Sequence, residues 1–302
     1  MFFVEKTIDT LRNYRMMKYD ILKAMERTRL TITLRKDLLP LVDEAIDGSK
    51  IRNRSHAIEY LLQKSLAPRV KKAFILAAGR GVNMRPFTYE IPKTLIPVRG
   101  KPILEYSIER LRDSGLKDIY ILIGHLGDKI VAHFGDGSRF GVKITYIKEK
   151  KEHGTAAPLL YAKSYLQGSP FVMMYGDILA DINISDFVDF HQSHAGIASL
   201  AVTSSSQPNE FGVINLHGSK IVSFTEKPSK EKRVSNFINA GIFILNPDIF
   251  KYIPQKGYSM LEKDVFPKLV ELDKLYGYPF SGQWYDIGTP EIYEEVLKEW
   301  KR

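Results

Sequence analysis

The stretch Phe74-Ile75-Leu76-Ala77-Ala78-Gly79-Arg80-Gly81-Val82-Asn83-Met84-Arg85-Pro86-Phe87-Thr88 constrains this chain more than any other. It begins as a short apolar run that reads as a buried strand. It then breaks into glycines, which carry no Cβ to keep backbone N–H groups away from an anion. A strand that ends in such a turn, with Lys93 following in Pro92-Lys93-Thr94-Leu95, reads as a phosphate cradle. Two common cradles are excluded. A dinucleotide fingerprint needs glycine where Met84 stands, and a P-loop needs Ser or Thr after Gly100-Lys101, where this chain has Pro102.

Downstream, strand-like runs at 73–77, 119–123, 142–147, 171–175 and 199–202 alternate with helix-like runs opening at Pro102, His125, Thr155 and Ile184. Alternation of this kind predicts an α/β fold with a mostly parallel sheet and helices on both faces, and ligands in such sheets bind beyond the carboxyl ends of the strands. The glycine loop lies at such an end. So does Asp177, in Met173-Met174-Tyr175-Gly176-Asp177, which reads either as a site acid or as a helix cap. Three further runs end in polar groups or glycine: Val222-Ser223-Phe224-Thr225-Glu226-Lys227-Pro228, Asn239-Ala240-Gly241-Ile242-Phe243 and Trp284-Tyr285-Asp286-Ile287-Gly288-Thr289-Pro290.

These motifs, in this order, resemble the sugar-1-phosphate nucleotidyltransferases over roughly residues 73 to 300, most closely the guanylyltransferases, and the resemblance implies their Rossmann-like sheet. It also implies a reaction in which a sugar 1-phosphate oxygen attacks the α-phosphorus of a nucleoside triphosphate and pyrophosphate leaves, chemistry that depends on charge neutralisation. By that resemblance Ala77, Ala78, Gly79, Gly81, Glu149 and Gly154 line the nucleotide site, and Lys93 is a catalytic point charge on the phosphates. Asp177 and Asp286 are the implied ligands of Mg2+, a hard ion that takes one or two carboxylates plus phosphate oxygens. Gly212, Glu226, Lys227 and Asn239 are the implied contacts of the sugar phosphate. In two places the chain departs from the pattern. Asn83 stands where the family carries an arginine that clamps the leaving pyrophosphate, a loss on the scale of about 2 to 4 kcal/mol. Glu149 stands where uridine- and thymidine-using relatives tend to have Gln; a carboxylate accepts from both N1–H and the N2 amino group of guanine, so GTP is the expected donor. No hexapeptide repeat follows residue 290, so the β-helix of longer relatives is not expected.

The formal charge of +9 is uneven. Residues 1–71 hold 15 Lys and Arg against 9 Asp and Glu, a net of +6, leaving 29 against 26, a net of +3, for the rest. Excess basicity there suggests a polyanionic partner, or a basic solvated surface. Within that quarter, Arg29-Leu30-Thr31-Ile32-Thr33-Leu34-Arg35 alternates polar and apolar, which predicts a half-buried strand. A helix is expected after Asp37 as N-cap, using Leu38, Leu39, Leu41, Val42, Ala45 and Ile46 and stopping at Gly48. A second is expected after Asn53, burying Ala57, Ile58, Leu61, Leu62 and Leu66. So small a fragment cannot bury its own apolar faces, so it must dimerise or dock. Residues 29–66 resemble a ribbon-helix-helix module, which pairs strands from two chains in the major groove of double-stranded DNA. On that resemblance Arg29, Thr31, Thr33 and Arg35 face the bases while Asn53, Arg54 and Ser55 hold a backbone phosphate. A strand and helix pair used only for dimerisation is the alternative.

The expected organisation is therefore an extension at 1–28, which allows an amphipathic helix and receives no function, a DNA-binding module at 29–66, a linker at 67–72 and a nucleotidyltransferase domain at 73–302. The module makes a homodimer or larger assembly the expectation. The chain has no cysteine, no stretch of about 18 apolar residues and no signal-peptide order at its start, which points to the cytoplasm and away from a membrane. A regulator whose weakened nucleotidyltransferase domain only senses a sugar nucleotide is the rival reading.

Overall fold

A computed structural model of the chain describes residues 31–49, 51–66, 69–229 and 235–301. The chain divides into two compact units between Glu59 and Tyr60. Residues 31–35 form no strand within the single chain, and Arg29 and Leu30 lie outside the described residues. The first helix begins differently from the expectation. A 3-10 turn, Lys36–Leu38, leads into α1 (Leu39–Glu44), and Leu38 holds the cap position without a side-chain bond. Asp37 is drawn instead to the Arg35 guanidinium at 3.1 Å, and Pro40, which has no N–H to satisfy, occupies the first turn. The cap of α2 (Arg54–Leu66) is as expected: Asn53 Oδ1 accepts from His56 N–H at 2.9 Å. Val42 and Ala57 are buried, whereas Ile32, Leu41, Leu61 and Leu62 are exposed. The expected burial of Leu61 and Leu62 does not occur within one chain. The side chain of Leu66 lies outside the described ones.

The larger unit is built on a nine-stranded sheet. Its strands in chain order begin with β1 (Lys72–Ala77), followed by the short pair β2 (Pro97–Val98) and β3 (Lys101–Pro102), then α3 (Ile103–Asp113), β4 (Asp118–Ile123), α4 (Gly127–Phe134) and β5 (Lys143–Lys148). Next come α5 (Ala157–Leu166), β6 (Phe171–Tyr175), β7 (Ile178–Ala180), α6 (Ile184–Gln192), β8 (Ala198–Ser204), β9 (Gly212–His217) and β10 (Lys220–Glu226). The chain finishes with β11 (Phe237–Leu245), α7 (Phe266–Glu271), β12 (Leu275–Pro279), β13 (Trp284–Asp286) and α8 (Pro290–Glu299).

The sheet order is β5-β4-β1-β6-β11-β8-β12-β10-β9. Strands β5, β4, β1 and β6 are parallel, but β11 runs antiparallel to both β6 and β8, and β10 antiparallel to β12 and β9. The sheet is therefore mixed rather than mostly parallel. Part of this is local: β9 and β10 form a hairpin that turns at Gly218, with φ +61°, and a hairpin can only make antiparallel neighbours. Helices cover both faces, as expected. Because side chains alternate along a strand, Phe74 of β1 joins one core with α5 and α7, while Ala73, Ile75 and Ala77 join the other with α3, α4 and α6. A third cluster, with Met84, Ile96, Leu179, Ile287 and Trp300 among its members, fixes the segment after the glycine loop against the end of the chain. Among the described residues, no helix is long and apolar enough to cross a membrane.

Candidate active site

The site gathers beyond the carboxyl ends of β1 and β6. Gly176 donates its N–H to the Leu76 carbonyl at 2.9 Å, and a Cβ on it would meet that same oxygen at 2.9 Å, so the two strand ends lie close enough to demand glycine. The chain then reverses into β7, which pairs antiparallel with β13 and sets Asp286 opposite Ile178. Ile287 N–H donates to the Asp177 carbonyl at 3.1 Å. These backbone bonds bring Asp177 and Asp286, far apart in sequence, to one place. Lys93 opens a 3-10 turn, Lys93–Leu95, and its ammonium forms an ion pair with the Asp177 carboxylate.

The electrostatics of this trio are opposed. Burial would depress the Lys93 ammonium, but Asp177 and Asp286 outweigh it and hold the pKa above the ordinary lysine value. Burial and the neighbouring Asp177 charge push the Asp286 carboxyl up, to about 7, against the pull of Lys93 and Lys227. Two carboxylates thus share one close lysine charge in a half-buried place, and a second cation there would relieve both. Among the described residues, no group of three or more His, Asp or Glu side chains could hold a metal ion alone. Two carboxylates fit Mg2+ nonetheless, since that ion keeps water or phosphate oxygens for its other positions.

The glycine loop rests on this trio. Gly81 sits at φ +60°, and a Cβ there would come within 2.8 Å of Thr88 Cγ2 and 3.1 Å of Lys93 Cβ. Thr88 Oγ1–H donates to the Gly81 carbonyl at 2.7 Å and holds the turn. Gly79 has open space around it, while Ala77 and Ala78 are buried beneath. Across the site, Gly154 has φ +89°, and a Cβ would lie 2.2 Å from the Ser259 carbonyl oxygen. Glu149 is nearly covered. Its Oε1 accepts from His153 N–H at 3.0 Å and lies 3.0 Å from His153 Nδ1, which is itself 3.2 Å from the Tyr161 hydroxyl. One carboxylate oxygen is thus engaged within its own loop.

On the third side, Gly212 and Glu226 are cross-strand partners in β9 and β10, and a Cβ at Gly212 would lie 3.0 Å from Glu226 Oε2. Lys227 adopts φ +45°, and its N–H donates to the Phe211 carbonyl at 3.0 Å. Asn239 is buried at a bulge in β11, its Oδ1 accepting from Gly241 N–H at 3.0 Å, which leaves its NH2 as the donor. Sequence reasoning missed Glu262. It is buried in a single π turn, Leu261–Val265, and accepts from Thr155 Oγ1–H at 2.6 Å and from the Tyr175 hydroxyl. Burial and the Glu262 charge raise the Glu226 carboxyl above its ordinary value, opposed by Lys227 and Lys263. Burial, with Glu262 alongside, likewise holds the Tyr175 phenol well above the usual range. No local signal in the run around Glu262 marks it, because its partners arrive from β6 and from the loop just before α5.

In the smaller unit Thr31, Thr33 and Ser55 are exposed. Arg35 is paired with Asp37, and Arg54 binds Asp43 through two bonds, Nε at 2.7 Å and Nη2 at 2.8 Å.

The larger unit is similar to known proteins. The family model described as nucleotidyl transferase matches residues 72–302. A probable mannose-1-phosphate guanylyltransferase of Arabidopsis thaliana is 34% identical, the match covering 75% of this chain and 64% of the relative. A UTP–glucose-1-phosphate uridylyltransferase of Synechocystis sp. is 35% identical, covering 75% and 62%. This chain therefore spans under two thirds of the length of these curated relatives. Among solved structures, a putative glucose-1-phosphate thymidylyltransferase from Bacillus anthracis aligns with a TM-score of 0.70 at 28% identity, covering 75% of this chain and 93% of that one.

Proposed function

From the premise that this chain belongs to the nucleotidyl transferase family, we propose that residues 72–302 transfer a nucleotidyl group from a nucleoside triphosphate to a sugar 1-phosphate, with GTP as the favoured donor. The observation that carries this reading is the half-buried Lys93–Asp177 pair, with Asp286 beside it, directly under the glycine loop. The loop amides and Lys93 hold the triphosphate. Lys227, close enough to Asp286 to draw its carboxyl down, is positioned for the sugar phosphate, while Glu226 and the Asn239 amide meet sugar hydroxyls. Mg2+ held by Asp177 and Asp286 would supply charge neutralisation at the reacting phosphates. The free oxygen of Glu149 is the feature that favours guanine, whose adjacent N1–H and N2 amino donors uracil cannot supply as a pair. The absence of cysteine and the nucleotide substrate agree with a cytoplasmic setting. Pyrophosphate release, measured in Mg2+ with each triphosphate against a panel of sugar 1-phosphates, tests the proposal. Turnover with at least one pair, and most with GTP, is expected. No release with any pair, alongside tight binding of a sugar nucleotide, would make this domain a sensor.

For residues 29–66 the reading is a DNA-binding dimer. Its support is the exposed, Asn53-capped start of α2 together with the exposed Ile32 and Leu41, apolar side chains that a second copy of this chain would cover. Arg54 would have to exchange Asp43 for a phosphate. Light scattering of the whole protein and selection of sequences from random duplex DNA test this. A monomer, or a dimer enriching nothing at low salt, removes the DNA role.

A further inference from the structure

The leaving group of the proposed reaction gains negative charge as the bond to it breaks, yet the residue after Val82 is the neutral Asn83. A pyrophosphate departing from the glycine loop needs a cation on that loop that can turn toward it. Three cations stand on or beside the loop. Lys93 is engaged by Asp177, with Asp286 adding its charge. Arg85 lies over the Tyr89 ring, its guanidinium carbon 5.0 Å from the centroid. Arg80 differs from both. It sits between Gly79 and Gly81, on the loop that lies against the Lys93 stem. Its side chain is 63% exposed, and its partner Glu152, 55% exposed, is 3.6 Å from Nε, beyond hydrogen-bonding distance. An exposed pair of that kind contributes little to stability, so leaving it costs little.

We propose that the Arg80 guanidinium leaves Glu152 and binds the departing pyrophosphate, supplying the positive charge that Asn83 lacks; this rests on the nucleotidyl-transfer reading above. In the step it serves, the sugar phosphate oxygen forms a bond to the α-phosphorus. The bond from that phosphorus to the bridging oxygen breaks, and the pyrophosphate keeps the electron pair. Arg80 donates hydrogen bonds to its oxygens and takes no part in bond making or breaking. Flanking glycines suit the role, since they let the loop backbone adjust as the side chain swings from the neighbouring loop to the phosphate.

The test uses the full-length protein in Mg2+, with pyrophosphate release under saturating substrates and calorimetric binding of inorganic pyrophosphate as separate readouts. Arg80→Ala should lower kcat about a hundredfold, the scale of losing one transition-state donor, and weaken pyrophosphate binding at least about tenfold. Asn83→Arg added to Arg80→Ala should restore most of the loss, whereas Arg85→Ala should change kcat by less than about threefold. Arg80→Ala within threefold of the parent in turnover, or a loss that appears with Arg85→Ala instead, overturns the assignment. If the parent releases no pyrophosphate with any pair, the transfer reading fails. Calorimetry then decides Arg80 alone: a weakened Arg80→Ala supports it as a pyrophosphate ligand, and unchanged binding overturns it.

Discussion

One oxygen of Glu149 is already engaged by His153, so the carboxylate is fixed in orientation before any base arrives, and only Oε2 has full acceptor capacity left. Glu149→Gln replaces one acceptor oxygen by a donor. The variant should erode the preference for GTP over UTP by about 1 to 3 kcal/mol, the scale of an unmet buried hydrogen-bond pair. The ratio of kcat/KM values for the two triphosphates reads this directly, and a parent enzyme that uses UTP as well as GTP would sink the assignment of Glu149 to the base. Asp177 and Asp286 make a different demand. Asp286→Asn keeps shape and removes charge, so it should lower turnover at least about a hundredfold at saturating Mg2+ while the fold persists. Turnover within tenfold of the parent would remove Asp286 from the site.

At the scale of the element, two glycines that look alike in sequence separate by their surroundings. Gly154 pairs φ +89° with a Cβ path blocked by the Ser259 carbonyl, whereas Gly79 has nothing within 4 Å of a Cβ. Gly154→Ala should therefore destabilise the protein by about 2 to 4 kcal/mol, through strain at a left-handed position and a displaced backbone. Gly79→Ala should leave the melting temperature nearly unchanged and weaken triphosphate binding, because its open space is where an anion would approach. Thermal unfolding of the two variants in parallel decides this, and equal losses of Tm would show that the loop is not shaped for a ligand. The start of α2 offers a second case. If the exposed helix end holds a DNA phosphate, Arg54→Ala should weaken binding to all sequences and flatten its dependence on salt, whereas Thr31→Ala should weaken only the selected site. An unchanged salt slope for Arg54→Ala means that Arg54 serves Asp43 and not DNA.

For the whole molecule, the buried histidines under β8 set an acid limit. His191 Nδ1 lies 2.8 Å from Ser199 Oγ, which is 3.0 Å from His194 Nε2, and the His194 ring stacks on Tyr276 at 3.8 Å. Burial lowers the His191 pKa to about 4, and burial with the His191 charge lowers that of His194 to about 3. Both rings therefore stay neutral in the fold, while the unfolded chain takes up protons below the ordinary histidine value of 6.5. Their contribution to stability is full above that value and is lost as pH falls toward 4 and then 3. His191→Phe should flatten the fall in urea midpoint between pH 7 and pH 4.5, and a variant with the parent's pH dependence would place the acid sensitivity elsewhere.

What the amino-acid sequence determined by itself was local chemistry. The glycine turn at 79–81, the acid that ends β6 at Asp177, the Asn53 cap and the strand runs at 73–77, 119–123 and 171–175 all follow from neighbours within a few residues, where backbone freedom and apolar periodicity decide. The polar and apolar alternation around Thr31 and Thr33 is equally local, yet residues 31–35 form no strand within one chain. Tertiary structure decided the meetings. Glu262 reaches Thr155 across 107 positions and Tyr175 across 87, and Asp286 comes to Asp177 only because β13 pairs with β7. The antiparallel placement of β11 between β6 and β8 was settled in the same way. Such contacts depend on which elements become neighbours once the cores close, and no periodicity within one segment encodes the identity of a partner so distant along the chain.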